Sequence, residues 1–473
     1  MKNPTLKISI ILGLLIFFLG NNVQAQYPII SPLGSGTNPV PNPIGDIRKL
    51  YTDTIDNKLY AVGSFVSIGG KKCYGTAVWD GQTWDSLGSG IREFTWSDAI
   101  QTVYDVVRYK NEIYIAGAFY KCGGKDMVGI ARWNGTEWNT VGGLLKPNTV
   151  GAWGSGNSME VYNDTLYFVG DYDSLGTVAS RGIAKWDGQT WTDISYNFPI
   201  ACDFTYAGAI IHNNGDLHLA GNMNCSPELA EEPILKLVNN QWVTVGPGIG
   251  GDGYINTFEN FQNSLYVGGY FSAQAGNIEN NIFYTNNNQY YSMSGGTLPS
   301  VVFDMMEYNS ELYVVGQINT AGGIPVTRTA KWDGQQWYSV PLQLQNNSGY
   351  GTAGSLEEYN GKLIIAGSFS SINGNTVSNI ASVDFGTSSI NTIPSNSVFT
   401  LYPNPSDGLF EIKINDFELD ANILIYNTLG ELIYSQLLNE SNSTINLKDK
   451  SSGLYYMVYS SNSKRFTKKI IIN

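Results

Sequence analysis

The sequence predicts an all-β protein, and three observations carry that expectation. Gly (53), Tyr (30) and Trp (11) are abundant while charged residues are only 14% of the 473, and runs with a 3.6-residue apolar period are hard to find. Short apolar strands containing a glycine recur as LYAVGSF, IYIAGAF, LYFVGDY, LHLAGNM, LYVGGYF, LYVVGQI and LIIAGSF, aligning Gly63, Gly117, Gly170, Gly221, Gly269, Gly316 and Gly367. Their spacing of 47 to 54 residues is too long for one hairpin and suits a four-stranded sheet. A phrase with two tryptophans around Asp-Gly or Asn-Gly accompanies four copies, at 77–84, 131–138, 184–191 and 330–337.

In chain order, Lys2 and Lys7 precede an apolar run from Ile8 to Leu19 and a small-residue site at Val23-Gln24-Ala25. That pattern predicts a secretory signal peptide over 1–25. The run is shorter than the ~20 residues needed to span a bilayer, and no later stretch approaches that length. A soluble mature chain beginning near Gln26, with no transmembrane segment, is expected. No Cys follows the run, which argues against a lipoprotein anchor. Removing Lys2 and Lys7 takes the net charge from -13 to -15, so nucleic acid is excluded as a partner of the exported chain.

Within the second copy the strands read 103–109, 112–119, 129–133 and 137–142, here called A, B, C and D. The tryptophan phrase is then the C–D hairpin. Asp187-Gly188, and Asn134-Gly135 in the second copy, are expected to supply the positive backbone angles of a tight turn. A two-residue loop puts Trp186 diagonal to Trp191, and a four-residue loop puts them face to face. Both place the rings on one side of the sheet, which must be buried against the next copy. At 284–291 and 237–242 Tyr or an aliphatic residue replaces Trp while an Asn-rich turn remains, so the phrase reads as scaffold.

Seven small sheets that each need a neighbour on both faces are best arranged radially, as a seven-bladed β-propeller over 26–388. The seventh copy stops after strand C at 379–386, while 27–36 reads YPIISPLGSG, matching the end of TWDSLGSG at 83–90. The N-terminal segment is therefore read as a displaced strand D that completes the last blade and covers its edge. The glycine-bearing second strand and Trp-bearing hairpin resemble kelch-type propellers, and bacterial repeats of the GSFxSxGGxxxxxIAxWDGxxWxxLGSG kind.

After a polar linker at 389–397 the repeat ends, and 398–473 carries paired strands around polar turns. These predict a small C-terminal β-sandwich following the propeller. Four ordered motifs stand out: Tyr402-Pro403-Asn404-Pro405, the stretch 425–433 with Gly430, the stretch 452–459 with Gly453, and a basic, apolar tail with Lys468 and Lys469. Together they resemble the C-terminal sorting domain of proteins exported by the type IX secretion system of Bacteroidota. The resemblance implies periplasmic transit, the type IX machinery as a partner, and release or attachment at the outer surface.

Catalytic groups are scarce. The two histidines, His212 and His218, align with repeat tyrosines: His212 with Tyr109, Tyr162, Tyr308 and Tyr359, and His218 with Tyr60, Tyr114, Tyr167, Tyr266 and Tyr313. There is no GxSxG elbow, and a histidine pair in one hairpin cannot converge on an axial copper. Asp171 to Gly176 resembles half a calcium loop but lacks its distal Glu. No metal or cofactor is expected. Cys202 and Cys225 fall at one end of the fourth copy and are expected to form a disulfide, and Cys73 and Cys122, in B–C loops of consecutive copies, to bridge neighbouring blades.

The D–A connections and B–C loops share one face, rich in aromatics: Phe94, Trp96, Trp153, Phe204, Tyr206, Tyr254 and Tyr350. Strand A presents Asp105, Ser158, Thr257, Asp304 and Ser355 toward the axis. Aromatics around a polar funnel suit a glycan or protein ligand, so a secreted or surface-displayed binding protein, an adhesin for example, is the leading reading. The alternative is a polysaccharide hydrolase or lyase using Asp105 and Asp304.

Overall fold

The computed structural model describes residues 28–38, 46–91, 101–146, 154–198, 202–225, 234–246, 249, 253–271, 281–293, 300–346, 349–385, 399–414, 421–427, 432–460 and 465–472. The chain forms two compact units, 1–384 and 385–473. Both are built from strands; a single short 3-10 turn, Ser195–Asn197, interrupts the pattern among the described residues. No helix among them is long and apolar enough to cross a membrane.

Seven four-stranded antiparallel sheets, each in the order A-B-C-D, form the main body of the described part of the first unit, with five smaller sheets of two or three short strands beside them. Sheet 2, for example, consists of Thr102–Tyr109, Glu112–Ala118, Ile130–Trp133 and Trp138–Asn139. Strand A of each sheet lies against strand A of the next, and strand A of sheet 7 (Thr352–Tyr359) lies against strand A of sheet 1 (Asp46–Asp53). The fourth strand of sheet 7 is Ile29–Pro32, paired with Ile380–Asp384 from Ile29 opposite Asp384 to Pro32 opposite Ala381.

The repeated glycine of strand B has a steric cause. Strand A carries a bulge at the same place in each copy, for instance between Val103 and Asp105 opposite Ala116 and Gly117. There its backbone presses against strand B. A Cβ at Gly63, Gly117, Gly170, Gly269, Gly316 or Gly367 would lie 2.1–2.2 Å from a carbonyl oxygen at the start of strand A or, for Gly316, of the residue just before it, so only glycine fits.

The tryptophan hairpins adopt the four-residue register: Trp79 faces Trp84, Trp133 faces Trp138, Trp186 faces Trp191 and Trp332 faces Trp337. Ring centroids are 5.1–5.4 Å apart. The expectation that Asp187 and Gly188 both take positive angles is corrected. Only Gly188 does (φ 102°), while the Asp187 carboxylate accepts the backbone N–H groups of Gln189 and Thr190, both at 2.7 Å. The Asn-rich turns are different. Asn239-Asn240 and Asn287-Asn288 all have positive φ and close two-residue hairpins, the geometry of a primed turn.

Neighbouring sheets are held by apolar layers and two hydrogen-bond clasps. In the first clasp, the indole N–H of the strand D tryptophan donates to a carbonyl just past strand D of the preceding sheet: Trp84 to Leu33, Trp138 to Leu87, Trp191 to Val141 and Trp242 to Ile194, at 2.7–3.0 Å. All four indoles are buried. The second is a tyrosine ending strand A that donates to the A–B turn of the next sheet: Tyr109 to Asp164, Tyr162 to Gly215, Tyr308 to Gly361 and Tyr359 to Asn57, at 2.9–3.0 Å.

This register corrects the placement of His212. Asn213 pairs with Asp216 across the fourth A–B turn as Tyr109 pairs with Glu112 across the second, so Asn213, not His212, occupies the tyrosine position. His212 stacks on Tyr162 of sheet 3, centroids 4.5 Å apart. His218 does occupy the strand B tyrosine position and is buried.

Between sheets 5 and 6 both clasps are missing, because Phe261 has no hydroxyl and the buried Trp337 indole N–H has no acceptor. Phe261→Tyr should add a bond to the Ser310 carbonyl, raising stability by about 1 kcal/mol and the melting temperature by about 2–4 °C. An unchanged or lower midpoint in a thermal melt would contradict this account of the clasp.

In the second unit, a three-stranded sheet (Phe399–Tyr402, Leu409–Ile414, Asn442–Asn446) and a four-stranded one (Leu432–Leu438, Ala421–Tyr426, Gly453–Ser460, Arg465–Ile472) contribute to one core. It joins Phe410, Ile412 and Ile445 of the first to Ile423, Ile425, Met457 and Tyr459 of the second.

Candidate functional site

The seven A strands surround a cavity of about 330 Å³ whose walls include Lys49, Asp105, Glu160, Glu259 and Asp304. The bulge in each strand A leaves the following backbone N–H without a ladder partner, and the axial side chains take it. Asp105 accepts from Val106 N–H (2.8 Å) and from Met159 N–H of sheet 3 (2.6 Å). Asp304 accepts from Met305 N–H (3.0 Å), from Leu356 N–H of sheet 7 (2.9 Å) and from the Thr257 hydroxyl (3.2 Å). The Ser355 hydroxyl accepts Leu50 N–H of sheet 1 at 3.1 Å. The axial residues are thus inter-sheet pins, and both oxygens of Asp105 and of Asp304 are engaged.

Two residues further along strand A, the glutamates Glu160, Glu259 and Glu357 occupy a second tier. Glu160 accepts the backbone N–H of His212 at 3.3 Å and Glu259 that of Glu307 at 3.0 Å. Burial pushes all three carboxyls up to about 7. Burial likewise lifts Asp105 to about 6, against the opposing pull of Lys49. Lys49 holds its proton more tightly than an ordinary lysine, chiefly because Asp304 faces it, with Asp105, Glu357 and Glu259 adding to the effect and burial opposing it. The sequence reading missed Lys49 and these glutamates. Lys49 holds the axial position itself in sheet 1, as Asp105 does in sheet 2, and the signal of the glutamates was their position, two residues past the axial one in strands that otherwise carry Tyr51, Val107, Ile211 and Met306.

On the loop face, Tyr254 is exposed and sits opposite Tyr270, with ring centroids 5.7 Å apart. Tyr270 was missed, although it stands where other copies have Ser64, Ala118, Asp171 or Ser368. Tyr350 is 76% exposed, with the Arg328 guanidinium 5.7 Å from its ring. Tyr196, on the 3-10 turn, is also exposed. Tyr206 lies in strand A of sheet 4, opposite Asn222. Trp96 and Trp153 lie outside the described residues. Asp105 and Asp304 are buried at the hub, so the structure separates them from the exposed aromatics.

The bridge expected between Cys73 and Cys122 is corrected: both are free and buried, in separate apolar layers. Cys122 stands where other copies carry Ile68, Leu175, Ala321 and Ile372, and Cys73 where they carry Met127, Val326 and Val377, all buried. Each thiol fills an apolar repeat position, and burial raises its pKa, that of Cys73 to about 11. Cys202 and Cys225 are direct cross-strand partners in the backbone register of sheet 4.

Tyr402, Pro403, Asn404 and Pro405 are exposed, and the Asn404 side chain accepts the N–H of Ile471, joining the first motif to the tail at 2.9 Å. Gly453 begins the strand Gly453–Ser460, and Lys468 and Lys469 pair with Met457 and Tyr456. Gly430 lies outside the described residues.

Comparison with known families decides what this unit is for: residues 400–473 match the secretion system C-terminal sorting domain. The chain carries a type IX sorting domain. Type IX export to the cell surface or beyond follows from it. Residues 360–381 match a beta-propeller domain of unknown function (DUF5122), so a propeller precedes the sorting domain. No curated protein matches the chain. Among solved structures, the chain is similar to PorZ, a surface component of the type IX secretion system of Porphyromonas gingivalis (15% identity, TM-score 0.48, 91% of this chain and 60% of that one). It is similar too to the extracellular domain of a hybrid two-component system from B. thetaiotaomicron (12%, 0.45, 94% and 58%) and to an α-L-arabinanase from Penicillium chrysogenum (11%, 0.34, 76% and 99%). The chain spans about 60% of the length of the first two.

Proposed function

We propose that this chain is a non-catalytic recognition protein: a signal peptide over 1–25, a seven-bladed, kelch-like β-propeller over 26–388 closed by its N-terminal strand, a linker at 389–397, and a sandwich-type sorting domain over 398–473. It acts at or beyond the cell surface by holding a glycan or protein ligand on its loop face, as an adhesin does. The observation that carries the reading is the state of the axial carboxylates. Asp105 and Asp304 spend both oxygens on backbone N–H groups of their own and neighbouring sheets, which takes these two carboxylates out of use as the acid–base pair of a polysaccharide hydrolase or lyase. The exposed rings of Tyr254, Tyr270 and Tyr350 supply the stacking surfaces that sugars and peptides use.

Tyr254→Ala with Tyr350→Ala should weaken binding to a ligand found by glycan array or cell-surface pull-down by about ten-fold or more, with the melting temperature unchanged. Equal affinity in isothermal titration would remove this face. The cross-strand pair Cys202 and Cys225 is proposed as a disulfide of the exported chain. After denaturation without reductant, a thiol reagent should then label Cys73 and Cys122 alone, and labelling of all four would refute the bond.

A further inference from the structure

One backbone position recurs just before strand C of sheets 1, 2, 3, 5, 6 and 7. Its carbonyl accepts the N–H of the strand B glycine, Gly63 donating to Gly75 in sheet 1 and Gly316 to Arg328 in sheet 6, and its own N–H donates to a carbonyl two residues past that glycine. The position is left-handed throughout: Gly75, Gly129, Gly182, Asn281, Arg328 and Asn379 have φ between 66° and 80°. Glycine takes that angle without steric cost, and asparagine is the side chain that tolerates it best. The two asparagines also add a bond, Asn281 accepting the Phe271 N–H at 2.8 Å and Asn379 that of Phe369 at 3.0 Å. Arg328 has neither advantage, because it carries a Cβ into the left-handed region and its side chain has no acceptor. A residue kept at backbone cost where glycine would serve points to a task outside the frame.

Acids outnumber bases in this chain by 40 to 27, and cations of the ring find carboxylates: Arg108 pairs with Asp53 and Asp56, Arg132 with Glu112 and Lys331 with Glu311. The half-buried Arg328 differs. Its guanidinium makes no hydrogen bond or ion pair with any described residue and stands 5.7 Å from the centre of the exposed Tyr350 ring. Both residues sit on braced backbone. The Thr327 hydroxyl donates to the Leu342 carbonyl at 2.9 Å, tying the Arg328 segment to the D–A connection that carries Tyr350. In that connection Gly351 N–H donates to the Leu344 carbonyl at 3.1 Å, and Leu344–Gln345 pairs with Ser371–Ile372 in the B–C loop of sheet 7. A free planar cation and an exposed ring are thus held side by side. Resting on the recognition reading of the loop face, we propose that Arg328 and Tyr350 form a subsite for an acidic sugar residue. The guanidinium donates to its carboxylate or sulfate, as arginine does to oxyanions through paired, charge-assisted bonds, and the ring of Tyr350 covers its apolar face. A neutral sugar would use the ring alone.

The test is titration of the purified chain from residue 26 with two matched pairs of polymers: polygalacturonate against its methyl ester, and dextran sulfate against dextran. The first pair reports a carboxylate and the second a sulfate. A charged polymer should be held about ten-fold or more tightly than its neutral counterpart, with the preference fading as salt is raised. Arg328→Asn should abolish the preference while the melting temperature stays level or rises, because asparagine suits the backbone there. Tyr350→Ala, at an exposed position, should weaken binding of the same polymer without moving the melting temperature. Lys72→Asn, which removes an exposed cation from the B–C loop of sheet 1, should bind like the parent. A preference that survives Arg328→Asn, or a lower melting temperature in that variant, overturns the subsite and makes the arginine structural. Equal affinity for the charged and neutral members of both pairs overturns the acidic ligand and leaves the recognition reading standing. Retention of none of the four polymers also overturns it, and Tyr254→Ala with Tyr350→Ala, measured against the ligand found by array or pull-down, then decides the recognition reading by itself.

Discussion

A chain lacking residues 26–36 is expected to melt about 10 °C or more below the full chain. The deletion removes Ile29–Pro32, which pairs along Ala381–Asp384, and exposes that strand as a raw edge. It also removes Leu33, a buried member of the apolar layer that joins Ile47 and Leu50 of sheet 1 to Ile364 and Ile380 of sheet 7, and whose carbonyl accepts the Trp84 indole N–H at 2.8 Å. Loss of a buried leucine costs about 2–4 kcal/mol, and each backbone or indole bond about 1 kcal/mol. At about 2–4 °C per kcal/mol, the sum exceeds any single surface change. Leu33→Ala alone should show roughly half the effect. A melting temperature unmoved by the deletion would mean that the N-terminal strand is not part of the closed ring.

The second large effect is a dependence on pH set by the hub. Glu160, Glu259 and Glu357 hold their protons up to about 7 in the folded chain, against an ordinary value near 4.3 once unfolded. Between those limits the folded state binds more protons than the unfolded state, so stability falls as pH rises through the window and levels off above it. Asp105, raised to about 6, adds in the same direction over a narrower range. Lys49 stays charged throughout and tempers the repulsion among the ionised carboxylates without reversing the sign. The melting temperature at pH 5 should exceed that at pH 7.5 by about 5 °C or more, and the triple variant Glu160→Gln, Glu259→Gln, Glu357→Gln should flatten the profile. A midpoint that rises with pH in the parent chain would contradict the burial of these groups.

Much of this was legible in the sequence because the fold is a repeat, and a repeat shows each constraint several times. The glycine of strand B, the Trp-bearing hairpin and the orphaned LGSG phrase at 33–36 each state a local rule that the sheets obey. Side-chain partners across sheets were less legible, because they depend on register to the single residue. His212 was placed one position too early, where the pairing of Asn213 with Asp216 moves it off the tyrosine clasp. The Cys73 and Cys122 pairing failed for a related reason. Proximity of loops was inferred, but the apolar residues at matching repeat positions, Ile68 and Met127 among them, already said that both sites are core. The half-buried glutamates escaped notice because a carboxylate in strand A looks solvated until the seven strands are brought round one cavity. Of the proposed loop-face residues, Tyr254 and Tyr350 are exposed as a ligand platform requires, whereas Asp105 and Asp304 serve the frame.

The central claim is that the exported ring binds without catalysing. The direct measurement is incubation of the purified chain from residue 26 with a panel of polysaccharides and surface glycans, scoring retention and release of reducing ends together. Retention without release, lost in Tyr254→Ala with Tyr350→Ala and kept in Asp105→Asn, is the predicted result. Release of reducing ends that disappears in Asp105→Asn or Asp304→Asn while the variant stays folded would contradict it and make the hub an active site.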